Sequence, residues 1–205
     1  MHTFPDVRPF HRTAIQRSVE IVADVVCDDL GRSTPCGGWS LGDLLVHMTA
    51  QHHGFAAAAR GHGDDLAMWE PATVADAVAA DPAGTYAAAA ADVLDAFAAD
   101  GTLETDFAIP ELAPGAKFPG AMAIGFHFVD YVVHGWDVAR SVGAGFELPA
   151  DVISAVLPVA LGVPDGEYRS AEGAAFGPAI AAADGVSDFD RLLLYLGRSP
   201  AWAPR

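Results

Sequence analysis

Five consecutive alanines, Ala87 to Ala91, follow Tyr86 and precede Asp92, Val93 and Leu94. Alanine has the lowest cost of entering a helix and a poor fit to a pleated strand, so a chain with such runs is directed toward helices. Alanine buries little area, however, and the core must come from bulky residues placed at helical spacing. Four segments provide them. About Pro9 to Leu30 carries Ile15, Val19, Val22 and Val26 as one stripe, ended by Gly31. A Pro/Gly loop, Arg32 to Gly38, leads to Ser40-Leu41-Gly42-Asp43, an S-x-x-D capping signal with Trp39 placed to staple the helix start. That second helix runs to about Arg60 with Leu44, Leu45, Met48 and Phe55 inward. Thr73 to Asp76 repeats the capping signal, and Asp81-Pro82 marks a kink or a fresh N-cap before a helix reaching about Asp100. The fourth long helix, Ala121 to Val142, is dense in bulky apolar residues and stops at Gly143.

The segments between and beyond them are less periodic. Gly101 to Gly120 holds three prolines and reads as a long surface loop with room for a short hairpin. Ala150 to Leu161 reads as helix despite Pro158, Phe176 to Ala183 as extended, and Ser187 to Leu196 as a short capped helix. The expectation is an all-α single domain over residues 1–205, a four-helix bundle with a small C-terminal helical and extended cap.

Composition narrows the partners. The formal net charge is -16 with no Lys/Arg cluster, which argues against nucleic acid and against an anionic membrane surface. No apolar run approaches the ~20 residues needed to span a bilayer, and Met1 to Arg12 lacks the apolar segment of a signal peptide. Cytoplasmic location, with Cys27 and Cys36 as reduced thiols, is therefore expected. A bundle with exposed apolar helix faces could form a homodimer.

The eight histidines are unevenly placed. On the fourth helix Asp130 and His134 are four residues apart, so both leave the same face one turn apart. His47 lies among the core-type residues of the second helix. If those helices pack together, His47, Asp130 and His134 form an N, N, O donor set with one position open, as in catalytic divalent sites. Zinc suits these donors, and nickel or ferrous iron could also bind. The plainer alternative for Asp130 and His134 is a helix-face ion pair or hydrogen bond. Around the triad, Gln51 sits one turn after His47, and His127 shares the face of Asp130 and His134. Both are candidates to contact the metal's surroundings or a substrate, against ordinary packing or surface roles. Asp137 is placed to hydrogen-bond a ligand imidazole, and Trp136 accompanies it. Arg140 could hold an anionic substrate or complement the helix C-terminus. His11, His52, His53 and His62 read as surface residues, and Cys36 as a structural loop cysteine, with a redox or thiol-exchange group as the alternative.

Two motifs carry a resemblance. Thr34-Pro35-Cys36-Gly37-Gly38-Trp39-Ser40 followed by Asp43-Leu44-Leu45-Val46-His47, and Asp130-Tyr131-Val132-Val133-His134-Gly135-Trp136-Asp137-Val138-Ala139-Arg140, resemble the DinB-like metal-binding superfamily. The branch is the actinobacterial one related to the metal-binding N-terminal domain of mycothiol-dependent maleylpyruvate isomerase. Phe176-Gly177-Pro178 and Asp190 to Arg198 are similar to that branch's C-terminal pattern. The resemblance implies a four-helix bundle and a divalent metal, usually zinc, on His47, Asp130 and His134. It further implies activation of a low-molecular-weight thiol such as mycothiol, for transfer to or isomerisation of a small electrophile. A non-catalytic metal- or ligand-binding protein and a metal-activated hydrolase are the alternatives. Two departures bear on the reaction: Asp130 stands where the isomerase has the longer Glu, and the chain is too short for the isomerase's second domain. The expected centre is thus the family's, with a reaction of its own.

Overall fold

The computed structural model describes residues 4–112, 115–171 and 174–204. Met1 to Thr3, at the start of the segment read for a leader, and Ala113 and Pro114 of the presumed loop lie outside the described residues. Helix α1 spans Arg8–Val22, α2 Leu41–Ala59, α3 Ala75–Ala80, α4 Pro82–Ala98 and α5 Gly120–Val142; α6, Ala150–Leu161, and α7, Asp188–Tyr195, follow. The strands β1, Asp106–Ala108, and β2, Lys117–Pro119, pair antiparallel. Among the described residues the fold is all-α apart from this hairpin and an isolated Ser33–Ser40 bridge. Its four long helices α1, α2, α4 and α5 form the bundle, with α6 on α1 and α5, and α7 on α6.

Local chemistry accounts for most boundaries. Ser40 caps α2 by accepting the Asp43 N–H while the Asp43 carboxylate accepts the Ser40 N–H, a reciprocal box that leaves neither donor orphaned. Asp81-Pro82 is a fresh start: the Asp81 carboxylate accepts the Gly84 N–H, with proline in the first turn. Gly143, at φ 75°, ends α5 in a left-handed conformation that costs glycine nothing.

Three expectations are corrected. Helix α1 ends at Val22, eight residues before Leu30, and Cys27–Asp29 forms a separate 3-10 turn, so Val26 is exposed and not in the stripe. Thr73 does not cap α3: it lies in a 3-10 turn, and Val74 at the N-cap offers no side-chain acceptor. The 101–120 segment is no mere surface loop, because Phe107 and Ile109 are completely buried and stake the hairpin to the core.

Around the bundle the helices run α1, α5, α2, α4 and back to α1. The α2–α4 and α1–α5 pairs pack most intimately, and α2 and α5 approach each other least. A glycine sets one close approach. A Cβ at Gly135 would lie 2.7 Å from the Phe146 ring and 3.4 Å from the Ser18 side chain on α1. Gly135→Ala is therefore expected to cost about 1–3 kcal/mol through overpacking, read as a lower urea midpoint at unchanged slope.

Candidate metal centre

In the gap between α2 and α5, His47 from α2 and Asp130 and His134 from α5 bring one ligand atom each to within 4.8 Å of one another. The spacing explains the α5 pair, since residues four apart stack on one helix face. His134 Nε2 lies 3.3 Å from Asp130 Oδ1, and the two side chains are 3 % and 21 % exposed. On the other edge of the ring, Nδ1 lies 2.9 Å from Asp137 Oδ2. Asp137 is completely buried and also accepts from Arg198 Nε at 3.1 Å through both carboxylate oxygens. Arg198, Asp137 and His134 thus form a relay that holds the imidazole with Nδ1 engaged and Nε2 turned to His47 and Asp130. That is how a carboxylate orients a metal-binding histidine.

The electrostatics follow from burial and these neighbours. Burial works against a charge on His134, yet Asp130 and Asp137 outweigh it and raise its pKa to about 9. Burial likewise opposes the charge on Asp130, but His134, His47 and Arg198 hold the carboxyl below its ordinary value. His47 lacks an equal partner, and burial lowers it to about 4, against an opposing pull from Asp130. His47 and Asp130 thus stand in the protonation states a divalent cation requires, whereas His134 carries a proton that a bound cation would have to displace.

The loop before α2 roofs the centre. Trp39 packs on His47, ring centroids 4.9 Å apart, and lies nearly parallel to His134 at 6.4 Å, so it covers the two imidazoles. Cys36 Sγ falls within 4.8 Å of ligand atoms of His134 and Asp137. Burial pushes its thiol up to about 11; Arg198 opposes this while Asp137 and Asp130 reinforce it. Cys36 is therefore at the centre and not a remote loop residue.

The other candidates divide. Gln51 is buried and donates to Glu111 Oε2 at 2.6 Å, tying α2 to the hairpin segment. Burial raises the Glu111 carboxyl, and Asp130 adds to the effect, which places Glu111 in the field of the donor set. Arg140 donates to the Trp202 carbonyl and lies over the Trp136 ring at 5.8 Å, so it clasps the C-terminal segment. His127 is not joined to the triad. Its Nδ1 lies 2.8 Å from His11 Nε2 and its Nε2 3.3 Å from His52 Nδ1, while its ring stacks on Tyr131. His11 and His52, read as surface residues, are completely or almost completely buried. The reason is a three-helix arrangement: each imidazole from α1, α5 or α2 finds its polar partner in another helix, which no single helix pattern reveals. Arg198 was the residue missed as part of the centre; it lies 61 positions from Asp137, and its only sequence signal was membership of the C-terminal pattern.

The fold and site define a helical bundle whose facing helices α2 and α5 bring two histidines and a carboxylate together, an arrangement that could hold a metal ion. The chain belongs to the mycothiol maleylpyruvate isomerase N-terminal domain family, whose sequence profile it matches over residues 11–139. Two uncharacterized proteins of Mycobacterium tuberculosis, from strains H37Rv and CDC 1551 / Oshkosh, are each 27% identical over 164 residues, covering 78% of this chain and 80% of theirs. The crystal structure of the mycothiol-dependent maleylpyruvate isomerase is similar with a TM-score of 0.59 at 16% identity, over 83% of this chain and 75% of that one. A histidine-to-alanine mutant of that enzyme gives 0.58 at 13% identity over the same shares. At these identities the structural likeness concerns the fold. No helix among the described residues is long and apolar enough to cross a membrane.

Proposed function

We propose that the chain holds one divalent cation, zinc by preference, on His47, Asp130 and His134, and uses it to present a mycothiol-type thiol to a small electrophile. The observation that carries this reading is the convergence of the three donors, with His134 held at Nδ1 by Asp137 so that Nε2 faces Asp130. The donor chemistry fits: two imidazoles and a carboxylate suit zinc, nickel or ferrous iron. A cation bound there lowers the pKa of a coordinated thiol into the neutral range. His47 stays neutral and available, Asp130 supplies negative charge, and Asp137 with Arg198 keeps the His134 ring from rotating. Trp39 packs on the His47 ring from the loop side. Family membership supports the thiol, and the shorter Asp130 supports a substrate or geometry distinct from the isomerase's.

Elemental analysis of purified protein should give about one divalent metal per chain, reduced severalfold or more in His47→Ala and His134→Ala. Holo-protein incubated with mycothiol and monochlorobimane should form conjugate in a metal-dependent manner. Bound metal without conjugation across several thiols would favour a binding protein or a hydrolase. Metal content identical in wild type and both variants would sink the centre itself.

A further inference from the structure

A cavity of about 470 Å³ opens between the start of α1 and the end of α4, away from the α2–α5 seam that holds the donor set. Leu94 and Phe97 give it apolar surface, and Asp6, Arg8, His11 and Arg12 line it with polar groups. Half of these groups are already spent. Asp6 Oδ1 accepts from the Arg8 backbone N–H and Nε, Asp6 Oδ2 accepts from Nη2, and Arg8 Nη1 donates to the Phe97 carbonyl. The other half is free. Arg12 has no carboxylate within ion-pair distance among the described residues. His11 is 1 % exposed and its Nε2 lies 2.8 Å from His127 Nδ1, but its own Nδ1 has no hydrogen-bond partner among the described residues. That nitrogen is not one of the sealed orphans of the core, which are His52 Nε2, Arg140 Nε and Arg198 Nη2. Nδ1 therefore keeps accessible surface, and the space that His11 lines is the cavity.

What Nδ1 offers is set two imidazoles away. Burial keeps His11, His127 and His52 neutral, and in His11 the Arg12 charge adds to the effect. A neutral imidazole has one N–H. His127 spends Nδ1 on His11 Nε2 and Nε2 on His52 Nδ1, so the three tautomers are tied: all carry the proton at Nε2, or all at Nδ1. The first arrangement strands the His52 Nε2–H in the core with no acceptor. The second leaves only a bare lone pair there, and a sealed N–H is the rarer orphan of the two. The second arrangement therefore prevails, and it turns a His11 N–H toward the cavity.

We propose that this cavity binds a small organic carboxylate, whose oxygens are taken by His11 Nδ1–H and the Arg12 guanidinium and whose apolar body lies against Leu94 and Phe97. The site is independent of the metal reading: α1 and α4 build it, and α2 enters only through His52, which fixes the tautomer. The Arg12 charge selects an anion over a neutral amide of the same shape. The Leu94 and Phe97 surfaces select an aromatic or branched body over a bare acetate. His11 acts as a neutral, preset donor, so binding needs no proton from solvent.

Benzoate is the probe, with benzamide and acetate as its neutral and its truncated counterparts. In full-length protein carrying isotope-labelled histidine, long-range proton–nitrogen correlation spectra should show an N–H at Nδ1 and a bare Nε2 in His11, His127 and His52. Benzoate at millimolar concentration should shift the His11 Nδ1 resonance saturably, and benzamide and acetate should each bind severalfold more weakly. Arg12→Gln, an exposed substitution, should weaken benzoate severalfold at an unchanged thermal midpoint. His11→Phe keeps a ring in the packed position and should abolish the binding; should it fail to fold, Arg12→Gln still decides. A His11 proton at Nε2 overturns the preset donor. Equal binding of benzamide, or benzoate binding unchanged in Arg12→Gln, overturns the anion site. Absence of a saturable shift overturns the cavity as a site, as do shifts confined to His47 and His134, which would put the carboxylate at the metal centre.

Discussion

Taking the metal-free protein from about pH 7.5 to about pH 5.5 is expected to remove about 4 kcal/mol of its stability, a large share of the 5–15 kcal/mol typical of a domain. The cause is the buried imidazoles. Burial holds His11 down to about 3, and burial pushes His52 and His127 well below the ordinary 6.5. His47 is lowered to about 4. In the unfolded chain each titrates near 6.5, so the unfolded state binds more protons below that value and stability falls with pH. His134 acts oppositely. Raised to about 9, it contributes stability that is full below 6.5 and lost as pH climbs through 9, so it gains over the same interval. Four losses against one gain leave about three tenfold steps, each about 1.4 kcal/mol. Urea midpoints measured across the interval in chelator would show it. His127→Phe, which removes one of the four, should flatten the fall by about a third. A flat wild-type profile, or a fall unchanged in His127→Phe, would show that the cluster takes up protons while folded.

Asp137→Ala has the other large effect. Asp137 is the shared acceptor of His134 Nδ1 and Arg198 Nε, completely buried. Its removal leaves a guanidinium buried with no counter-charge, a loss of about 3–5 kcal/mol, and frees the His134 ring, which lowers metal affinity about 10–100-fold. The two consequences separate in a second variant. Combining Asp137→Leu with Arg198→Met removes both charges and is expected to restore much of the stability, since an apolar pair can replace a buried ion pair. Metal affinity should stay low, because nothing then orients the imidazole. Recovery of affinity along with stability would mean that Asp137 acts only as Arg198's counter-ion.

How far the sequence reaches depends on how far apart the partners lie along the chain. Asp130 with His134, and His134 with Asp137, are four and three residues apart on one helix, so periodicity alone puts them in contact. The caps at Ser40 and Asp81 are local in the same sense and read directly. His52 defeats this reasoning. It sits five residues after His47, so it points to another face of α2, and a polar residue off the metal face reads as solvent-exposed. Its burial is made tolerable by His127, 75 positions away, which no local pattern encodes. Arg198 and Cys36 are legible only as parts of motifs: their shared neighbourhood with Asp137 is made by the C-terminal segment folding back over α5. The α1 boundary fails for a different reason. Val26 continues the apolar stripe in register, but the chain has already left the helix at Ala23 and Asp24.

The α2–α5 seam carries two imidazole contacts, His47 toward Asp130 and His134, and His52 toward His127, beside the Tyr131 hydroxyl that donates to the Met48 carbonyl. A third imidazole contact, His11 with His127, joins α1 to α5. The grip of these imidazoles depends on solution chemistry, so protons and chelators pull on the same fastening from opposite ends. With a cation seated on the first bridge, strain introduced by protonating the second must work against the metal's chemical potential. The acid tolerance of the fold then becomes a function of metal supply, and a protein made under metal starvation would be the first to come apart in acid.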